Sequence, residues 1–376
     1  MKYGTLILHN GNEIDPHTGA LSIPVYQAST YRQADVDHPG PFEYARSGNP
    51  TREALEKTLA VLENGTRGFA FASGMAATSS CLAILNQGDH VVATEDIYGG
   101  SYRILSRFFD KFGISTTFVD MTDLANVERA IQSNTRALFL ESPSNPLLKI
   151  TDIVGAVALA RQHGLMTMID NTFMSPYLQR PLDLGVDIVI HSVTKFLGGH
   201  SDVLGGAAVT RSPDLASRIY FVQNGFGSVL GPQDCWLVLR GIKTLRARME
   251  FQQRSAMEIA RWLKKQSWLT DVYYPGLPDH PGHDTIKAQA DGFGAVLSFK
   301  TDTVERAKKI MKNAKLWMVA VSLGGVESIL SYPVTMSHAA MPQSERERLG
   351  ITDTLIRLSA GLEDPEDLIA DLNPDT

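Results

Sequence analysis

A lysine at the end of an apolar run is the residue of this sequence best placed for covalent chemistry. Lys195 comes shortly after the run Asp187–His191, among hydroxyl side chains and before two glycines. An amine in a partly desolvated site has a lowered pKa and can form a Schiff base with an aldehyde. An ordinary solvated lysine is the alternative, because most charged side chains are exposed. The polar residues that end neighbouring runs favour the reactive amine.

A carboxylate occupies a similar place at the end of another run. Asp170 follows Leu165–Ile169. It could be the N-cap of the segment after it. It could also form a salt bridge to the pyridinium of an aromatic cofactor, which keeps that ring protonated and able to accept electrons. Because Lys195 follows one strand–helix–strand step later, we favour the pyridinium partner.

Small residues after a third run are typical of an anion site. Gly74 and Met75 open an alanine- and serine-rich helix, whose free N–H groups can bind a phosphate. The hydroxyls of Ser192 and Thr194 could donate to the same phosphate. Any helix entry made of small residues has this pattern, so that alternative stays open. Neither a Walker-type loop nor a Gly-x-Gly-x-x-Gly motif occurs, and the sequence does not support a nucleotide site.

An aromatic residue and an interior arginine complete the predicted site. Tyr98 lies in a glycine-rich loop, where its ring could stack on a flat cofactor and its hydroxyl could exchange protons. A half-buried packing tyrosine is the alternative. Arg357 lies within the apolar stretch Leu355–Ser359. An interior arginine needs a partner, either the carboxylate of a substrate or a structural salt bridge.

Most of these residues follow short apolar runs, which predict strands buried on both faces of a sheet. The runs are Gly68–Ala72, His90–Thr94, Ser115–Val119, Ala137–Leu140, Met166–Asp170, Ile188–His191 and Gly206–Thr210. Amphipathic stretches such as Leu124–Gln132 and Ile153–His163 lie between them, which indicates an α/β fold with a mostly parallel seven-stranded sheet. Ligands of such sheets bind beyond the carboxyl ends of the strands. We therefore expect the polar residues after the runs to converge at one crevice.

The length and composition predict two domains and an N-terminal arm. The chain has 376 residues, of which 43% are hydrophobic, enough for a large core. Residues 1–46 show no clear periodicity and are expected to form an extended arm. Residues 47–241 would form the large domain. Residues 242–376, with strands such as Ala295–Lys300, would form a smaller α/β domain that closes over the crevice.

Charge and cysteine content exclude several classes of partner. Lys and Arg total 35 against 41 Asp and Glu, a net charge of −6, so neither nucleic acid nor an anionic membrane is expected. The two cysteines, Cys81 and Cys235, exclude a disulfide framework and favour a reducing compartment. Met1–Glu13 lacks the apolar length of a signal peptide or a membrane span, so we predict the cytoplasm. No Cys/His cluster supports a metal site, and none is expected.

Taken together, these motifs identify a resemblance that runs nearly end to end. The chain resembles the Cys/Met-metabolism class of fold-type I pyridoxal-phosphate (PLP) enzymes, which have an aspartate-aminotransferase-like fold and include the cystathionine lyases and synthases and methionine γ-lyase. The matching stretches are Tyr44–Thr51, Ser73–Ala77, Tyr98–Gly100, Glu141–Pro146, Asp170–Phe173, His191–Lys195, Gly199–Asp202, Ser322–Gly325 and Arg357–Ser359.

The resemblance implies a role for each candidate residue. Lys195 would carry PLP, Asp170 would bind the pyridinium, and Tyr98 would stack on the ring and assist proton transfer. The phosphate would be held within the chain by Gly74, Met75, Ser192 and Thr194. Tyr44 and Arg46 would reach into a neighbouring subunit and bind its cofactor phosphate, so the active unit would be a dimer, paired into a homotetramer. The substrate carboxylate region would be bound by Asn145, Ser322 and Arg357.

Two further positions favour cleavage of cystathionine at Cβ. Val321 stands where γ-lyases and γ-synthases of the family look to have a glutamate able to hold the distal amino group of cystathionine. Gly100 stands where methionine γ-lyases carry a cysteine. The stretches Ser328–Pro333 and Met336–Pro342 are similar to cystathionine β-lyases of Gram-positive bacteria. The resemblance therefore implies a carbon–sulfur lyase that converts L-cystathionine to homocysteine, pyruvate and ammonia.

Two alternatives remain open at this point. A cystathionine γ-lyase or γ-synthase would cleave sulfur amino acids at Cγ, through the same first steps. A non-catalytic PLP- or ligand-binding regulatory protein could keep the fold alone, since fold does not prove function. Such a protein should have lost Lys195, Asp170 or Arg357, and all three are present.

Overall fold

The computed structural model describes residues 1–11 and 14–373, so residues 12 and 13 of the predicted arm and residues 374–376 of the predicted C-terminal domain lie outside it. The larger of two sheets has seven strands, in the spatial order β1-β7-β6-β5-β4-β2-β3. The strands are β1 (Arg67–Phe71), β2 (His90–Thr94), β3 (Ser115–Val119), β4 (Thr135–Glu141), β5 (Met166–Asp170), β6 (Ile188–His191) and β7 (Gly206–Thr210). β7 runs antiparallel to both neighbours and the other pairs are parallel, which confirms the predicted mostly parallel sheet.

The inner strands are buried on both faces because two separate cores sandwich the sheet. Leu138 and Leu140 of β4 point into one core, and Ala137 and Phe139 of the same strand point into the other. This alternation explains the continuous apolar runs, since both faces of a strand must be apolar. The prediction is wrong for β3, whose residues are half-buried or exposed. β3 lies at one edge of the sheet, whereas β1, at the other edge, is covered by helix α2 (Pro50–Leu62), whose backbone at Glu56 lies against Gly68.

Helices supply the apolar cover for the sheets. They are α1 (Tyr3–His9), α2 (Pro50–Leu62), α3 (Gly74–Leu82), α4 (Gly99–Arg103), α5 (Leu124–Ala130), α6 (Ile153–Gln162), α7 (Ser175–Leu178), α8 (Pro213–Phe226), α9 (Pro232–Ile242), α10 (Leu245–Leu263), α11 (His283–Gln289), α12 (Val304–Asn313), α13 (Gln343–Leu349) and α14 (Pro365–Leu372). A π-helical turn, Ile104–Phe108, and a 3₁₀ turn, Phe109–Phe112, extend α4. None of the helices in the described residues has both the length and the apolar composition needed to cross a membrane.

The C-terminal part contains a second, five-stranded sheet, in the order β10-β11-β12-β9-β8. Its strands are β8 (Leu269–Tyr273), β9 (Val296–Thr301), β10 (Met318–Val319), β11 (Ile329–Ser331) and β12 (Leu355–Ser359). The long helix α10 joins the two parts, because Leu245 and Met249 pack into the core of the large sheet whereas Ile259 and Leu263 pack into the core of the small one. The predicted boundary at residues 241/242 lies just before this helix.

The N-terminal segment differs from the expected extended arm. Residues Tyr3–His9 form helix α1, which packs on α2: the Tyr3 hydroxyl donates to the Leu62 carbonyl at 3.0 Å, and Ile7 is buried. Tyr3 and Ile7 are four residues apart and therefore face the same side of the helix. From residue 14 to Asn49 the described chain forms turns and extended segments, with a single β-bridge between Thr30 and Tyr44.

Candidate active site

A cavity of about 480 Å³ opens between the carboxyl ends of the large-sheet strands and segments of the C-terminal part. Residues that end or follow strands β1, β2, β4, β5 and β6 contribute to its wall, so their predicted convergence is confirmed. They are Ser73, Gly74, Met75, Tyr98, Gly99, Gly100, Pro143, Asn145, Asp170, Thr172, Ser192, Thr194 and Lys195. The C-terminal part adds Val321, Ser322, Leu323, Met336, Ser337, Ala339, Ala340 and Arg357.

Lys195 lies in this cavity with its amine held by a hydrogen bond. Its Nζ donates to the Ser322 Oγ at 2.5 Å. Burial, together with the positive charge of Arg357, lowers the pKa of Lys195 to about 8, and Asp170 opposes this shift. A pKa near 8 makes the neutral, nucleophilic amine far more accessible than in a solvated lysine. The geometry therefore favours the reactive amine over the solvated lysine.

Ser322 adopts a backbone conformation that few non-glycine residues tolerate. Its φ is 90°, in the left-handed region. Such a conformation costs about 1–3 kcal/mol and persists only where the surroundings hold it. Here the Arg357 Nη2 donates to the Ser322 carbonyl at 2.7 Å. The arginine thus fixes the serine that in turn orients the Lys195 amine.

Asp170 ends β5 at the base of the cavity. Its Oδ1 accepts the backbone N–H of Thr172 at 3.0 Å. The alternative that Asp170 is a helix N-cap is wrong, because the next helix, α7, begins at Ser175 and its N-cap is Met174. Burial raises the pKa of Asp170, and its interactions with Thr172, His191 and Lys195 oppose this shift. A cation placed against this carboxylate would remove the cost of burying it unpaired. The pyridinium of PLP is a cation of the required kind.

The start of α3 forms a cradle for a phosphate. Ser73 caps the helix by accepting the Ala76 N–H at 3.0 Å. A Cβ added to Gly74 would lie 2.8 Å from the Ser192 Cβ, so only glycine allows this close approach. The Thr194 hydroxyl donates to the Gly205 carbonyl at 3.2 Å and would have to release that bond to reach a phosphate.

Tyr98 directly precedes α4, and the close packing around it explains why the next two residues, Gly99 and Gly100, have no side chain. Its backbone N–H donates to the Glu141 Oε2 at 3.0 Å, and its side chain is 39% exposed. A Cβ on Gly100 would lie 2.4 Å from the Tyr98 ring and 2.8 Å from the Met75 sulfur. A Cβ on Gly99 would lie 2.0 Å from the Ser337 carbonyl oxygen. The glycine at position 100 thus leaves room for the Tyr98 ring, which lines the cavity.

Arg357 is buried on β12 and is held by three hydrogen bonds. Its Nη1 donates to the Asn145 Oδ1 at 2.9 Å, and its Nη2 donates to the Ser322 carbonyl at 2.7 Å and to the Ser331 Oγ at 3.2 Å. Burial lowers the pKa of Arg357 to about 10, so the group stays charged at neutral pH. No carboxylate of the described residues forms a salt bridge with it, which argues against the structural ion pair.

Two charged residues of the cavity wall were not among the predicted site residues. Glu141 ends β4 and is buried in the cavity wall. Its place at the end of an apolar run is the same signal that identified Asp170. Arg103 lies at the mouth, on the short helix that begins after Tyr98, and its guanidinium is exposed. A charged residue on a helix surface is usually solvated, so its sequence offered no signal of its own.

Tyr44 and Arg46 lie outside the cavity of their own chain. Tyr44 is 48% exposed, and the Arg46 guanidinium lies 5.6 Å from the centre of its ring. The Arg46 Nε donates to the Asn224 Oδ1 at 3.3 Å. Neither residue contributes to the cavity wall. A role in binding a cofactor phosphate would therefore require the cavity of a second copy.

The histidines near the site have partners within the protein. The His191 Nε2 lies 2.5 Å from the Glu63 Oε1, and the His200 Nδ1 lies 2.8 Å from the Gly198 carbonyl oxygen. Residues 1–11 and 14–373 contain no group of three or more His, Cys, Asp or Glu side chains that could hold a metal ion.

Comparison with known proteins gives independent evidence for the family of this chain. The family model for "Cys/Met metabolism PLP-dependent enzyme" matches residues 4–375. The chain is 56% identical to cystathionine beta-lyase MetC of Bacillus subtilis (strain 168), over 97% of this chain and 93% of that protein. It is 50% identical to cystathionine gamma-lyase of the same organism, over 99% of this chain and 98% of that protein.

A solved structure gives the same result for the fold. Cystathionine gamma-lyase from Lactobacillus plantarum, complexed with L-serine, superposes with a TM-score of 0.97 at 46% identity, covering 100% of this chain and 98% of that one. An amine of lowered pKa, a buried carboxylate and a glycine cradle at a helix start fit the aldehyde, the pyridinium and the phosphate of PLP. On both grounds the chain belongs to the family of Cys/Met metabolism PLP-dependent enzymes.

Proposed function

We propose that this protein is a cystathionine β-lyase, which converts L-cystathionine and water to homocysteine, pyruvate and ammonia. The observation that carries the proposal is a single cavity with two arginines, one buried and one at the mouth. Arg357 suits the α-carboxylate of an amino acid, and Arg103 suits a second carboxylate at the far end of the substrate. Cystathionine has both. The name of the relative at 56% identity supports the same substrate.

The first catalytic duty of the chain is to orient the substrate. Arg357 binds the α-carboxylate through its guanidinium, whose plane is set by the bonds to Asn145 and Ser322. The Tyr98 side chain, which lines the same cavity, would stack on the ring of bound PLP. Together these residues would align the Cα–H bond of the substrate with the Lys195 amine, and correct alignment alone removes much of the barrier.

Proton transfer at the substrate is the second duty. Bound PLP supplies an electron sink for the negative charge left at Cα. Lys195 would remove the Cα proton as a neutral amine, a form that a pKa of about 8 makes more populated than it is in a solvated lysine. Asp170 would hold the protonated ring nitrogen of PLP through its negative charge. Lys195 or the Tyr98 hydroxyl then donates a proton to the departing sulfur, so that homocysteine leaves as a thiol.

Cleavage at Cγ is the second candidate, because relatives named cystathionine gamma-lyase are 50% and 46% identical to this chain. That reaction removes a second proton, from Cβ, and releases cysteine and 2-oxobutyrate. Val321 stands against it, since an apolar side chain at the cavity mouth cannot hold the distal amino group. The non-catalytic alternative is disfavoured by the presence of Lys195, Asp170 and Arg357 in one cavity.

Product analysis with pure L-cystathionine decides between these reactions. The purified holoenzyme is incubated with substrate, and the 2-oxo acids are separated by liquid chromatography and mass spectrometry. We expect pyruvate and homocysteine in equal amounts. Dominant 2-oxobutyrate with cysteine would reject the β-lyase assignment, and absence of both pyruvate and 2-oxobutyrate with PLP-loaded protein would favour the regulatory protein.

We also propose that Tyr44 and Arg46 complete the active site of a second copy, within a homodimer that pairs into a tetramer. Both residues are exposed, and neither contributes to the cavity wall of its own chain, which supports this. Arg46→Ala and Lys195→Ala proteins should each be inactive. In a mixed dimer one site receives Lys195 from one chain and Arg46 from the other, so activity should return. No recovery on mixing, or a monomer in sedimentation, would overturn the proposal.

The proposed compartment is the cytoplasm. Cys81 and Cys235 are buried free thiols, which suits a reducing environment. Immunodetection of the protein in fractionated cells would test this, and recovery with the secreted or membrane fraction would contradict it.

A further inference from the structure

Glu141 is a buried acid in the cavity wall that the steps above do not use. It is 4% exposed and ends β4, where it pairs in register with Asp170 on β5. Its Oε2 accepts the Tyr98 N–H at 3.0 Å. Its Oε1 is buried without a hydrogen-bond partner. Leaving a buried polar atom unpaired costs about 1–3 kcal/mol, so this oxygen calls for an explanation.

Carboxyl groups face Glu141 from two neighbouring elements. Asp170 lies on the adjacent strand, and Asp96 lies in the loop after β2. Burial, followed by the charges of Asp170 and Asp96, raises the pKa of Glu141 well above its usual range, although the N–H groups of Tyr98 and Asn145 oppose this. Two carboxyls in one poorly hydrated site do not both ionise readily. Only one of Asp170 and Glu141 is then expected to carry charge.

The groups around Asp170 assign that charge to it. Burial raises the pKa of Asp170 too, but the hydroxyl and N–H of Thr172 and the charge of Lys195 oppose that shift. Arg357 also interacts with Glu141, but its hydrogen bonds all go to other residues, namely Asn145, Ser322 and Ser331. Glu141 therefore has a backbone donor on one oxygen and no cation bonded to the other.

We propose that Glu141 is a positioning residue that acts as an uncharged carboxylic acid, holding the Tyr98 loop with one oxygen and leaving one negative charge, that of Asp170, at the end of the ring. The proposal rests on the placement of Tyr98 against the cofactor in the proposed function. An ionised Glu141 would place a second negative charge beside Asp170. That charge would raise the pKa of Asp170 and weaken its hold on a protonated ring nitrogen.

The matched variants Glu141→Gln and Glu141→Leu test whether Glu141 acts as a neutral carboxylic acid or as an ionised carboxylate. Glutamine keeps the size, the acceptor for the Tyr98 N–H and a second polar group. We expect E141Q to keep its PLP dissociation constant and its kcat within about threefold of the parent protein. E141L leaves the Tyr98 N–H unpaired, and we expect PLP to bind about 10-fold more weakly, as for loss of one buried hydrogen bond. An E141Q protein as impaired as E141L would overturn the proposal.

Infrared difference spectroscopy gives a readout that is independent of activity. A protonated carboxyl group has a carbonyl stretch that an ionised carboxylate lacks. The spectrum of the parent apoprotein minus that of E141Q at neutral pH should contain this band. Its absence would overturn the proposal whether or not E141L folds. The band in a protein without cystathionine cleavage would reject the proposed function and leave the role of Glu141 intact.

Discussion

The floor and the rim of the cavity are built in different ways. The floor comprises Asp170, Lys195 and Arg357, which lie on strands or directly after them and have hydrogen-bond partners within the protein. The rim comprises Arg103 and Val321, which are exposed. Among the described residues, the Arg103 guanidinium has no hydrogen bond or ion pair, and the Val321 side chain is 63% exposed.

This difference teaches which parts of the reaction are constrained by the fold. A floor residue is oriented by its neighbours, so a substitution there disturbs the residues it holds in place as well as its own function. A rim residue has few neighbours, so its substitution changes the fit of the substrate and leaves the protein folded. We therefore assign the chemistry common to the family to the floor and the choice of substrate and cleavage position to the rim.

Removing the floor lysine should have the largest effect. We expect Lys195→Ala to reduce pyruvate formation at least about 10³-fold, because a positioned acid–base group contributes about 10²–10⁴-fold and the covalent attachment of PLP is lost as well. Activity is measured at saturating PLP, with borohydride trapping of the cofactor read by mass spectrometry. Lys308→Ala, an exposed lysine of α12, is the control and should behave as the parent protein. Full activity of Lys195→Ala would refute its role.

Removing the rim arginine should affect binding alone. We expect Arg103→Ala to raise the KM for cystathionine about 10-fold, which corresponds to ~1.4 kcal/mol, with kcat within about twofold. Arg103→Lys, which keeps the charge, should recover part of the loss. An S-alkylcysteine, which has no distal carboxylate, should show the same KM with both proteins. A fall in kcat for that substrate would place Arg103 with the floor instead.

A glutamate at the other rim position should change the products. We expect Val321→Glu to raise the ratio of 2-oxobutyrate to pyruvate a few-fold, because a carboxylate at the mouth can hold the distal amino group and shift the substrate. Val321→Gln has a similar size without the charge and should change the ratio less. An unchanged ratio in Val321→Glu, with activity retained, would show that the cleavage position is decided deeper in the cavity.

The smallest expected effect is on the pH dependence of the rate at which PLP attaches to Lys195. Only the neutral amine condenses with an aldehyde, so the rate of PLP attachment to the apoprotein should rise with pH and level off above about 8, the pKa of Lys195. Asp170 raises that pKa, so removing its charge in Asp170→Asn should move the midpoint to lower pH. Stopped-flow absorbance at saturating PLP measures both midpoints. A shift to higher pH would contradict the sign of the Asp170 interaction.

Prediction from the sequence succeeded where the role of a residue depends on the apolar run next to it in the chain. All seven strands of the large sheet agree with apolar runs to within a few residues, and Asp170 and Lys195 were found because they follow such runs. The prediction failed for residues whose neighbours in the folded protein come from distant parts of the sequence. The helix α1 depends on packing against α2, and the low burial of β3 depends on its edge position. Arg103 was missed because only the folded chain brings its helix to the cavity mouth.

By itself, the sequence determined the α/β architecture, the crevice at the strand ends and the residues suited to PLP. These follow from the alternation of apolar runs with polar residues, which is encoded locally. The tertiary structure decided which distant groups meet there. Arg357 binds Asn145 from 212 positions away, and Ser322 reaches Lys195 across 127 positions. It also decided that Glu141 faces two other carboxyls and that Val321 is exposed, because burial and charge around a side chain depend on every element packed against it.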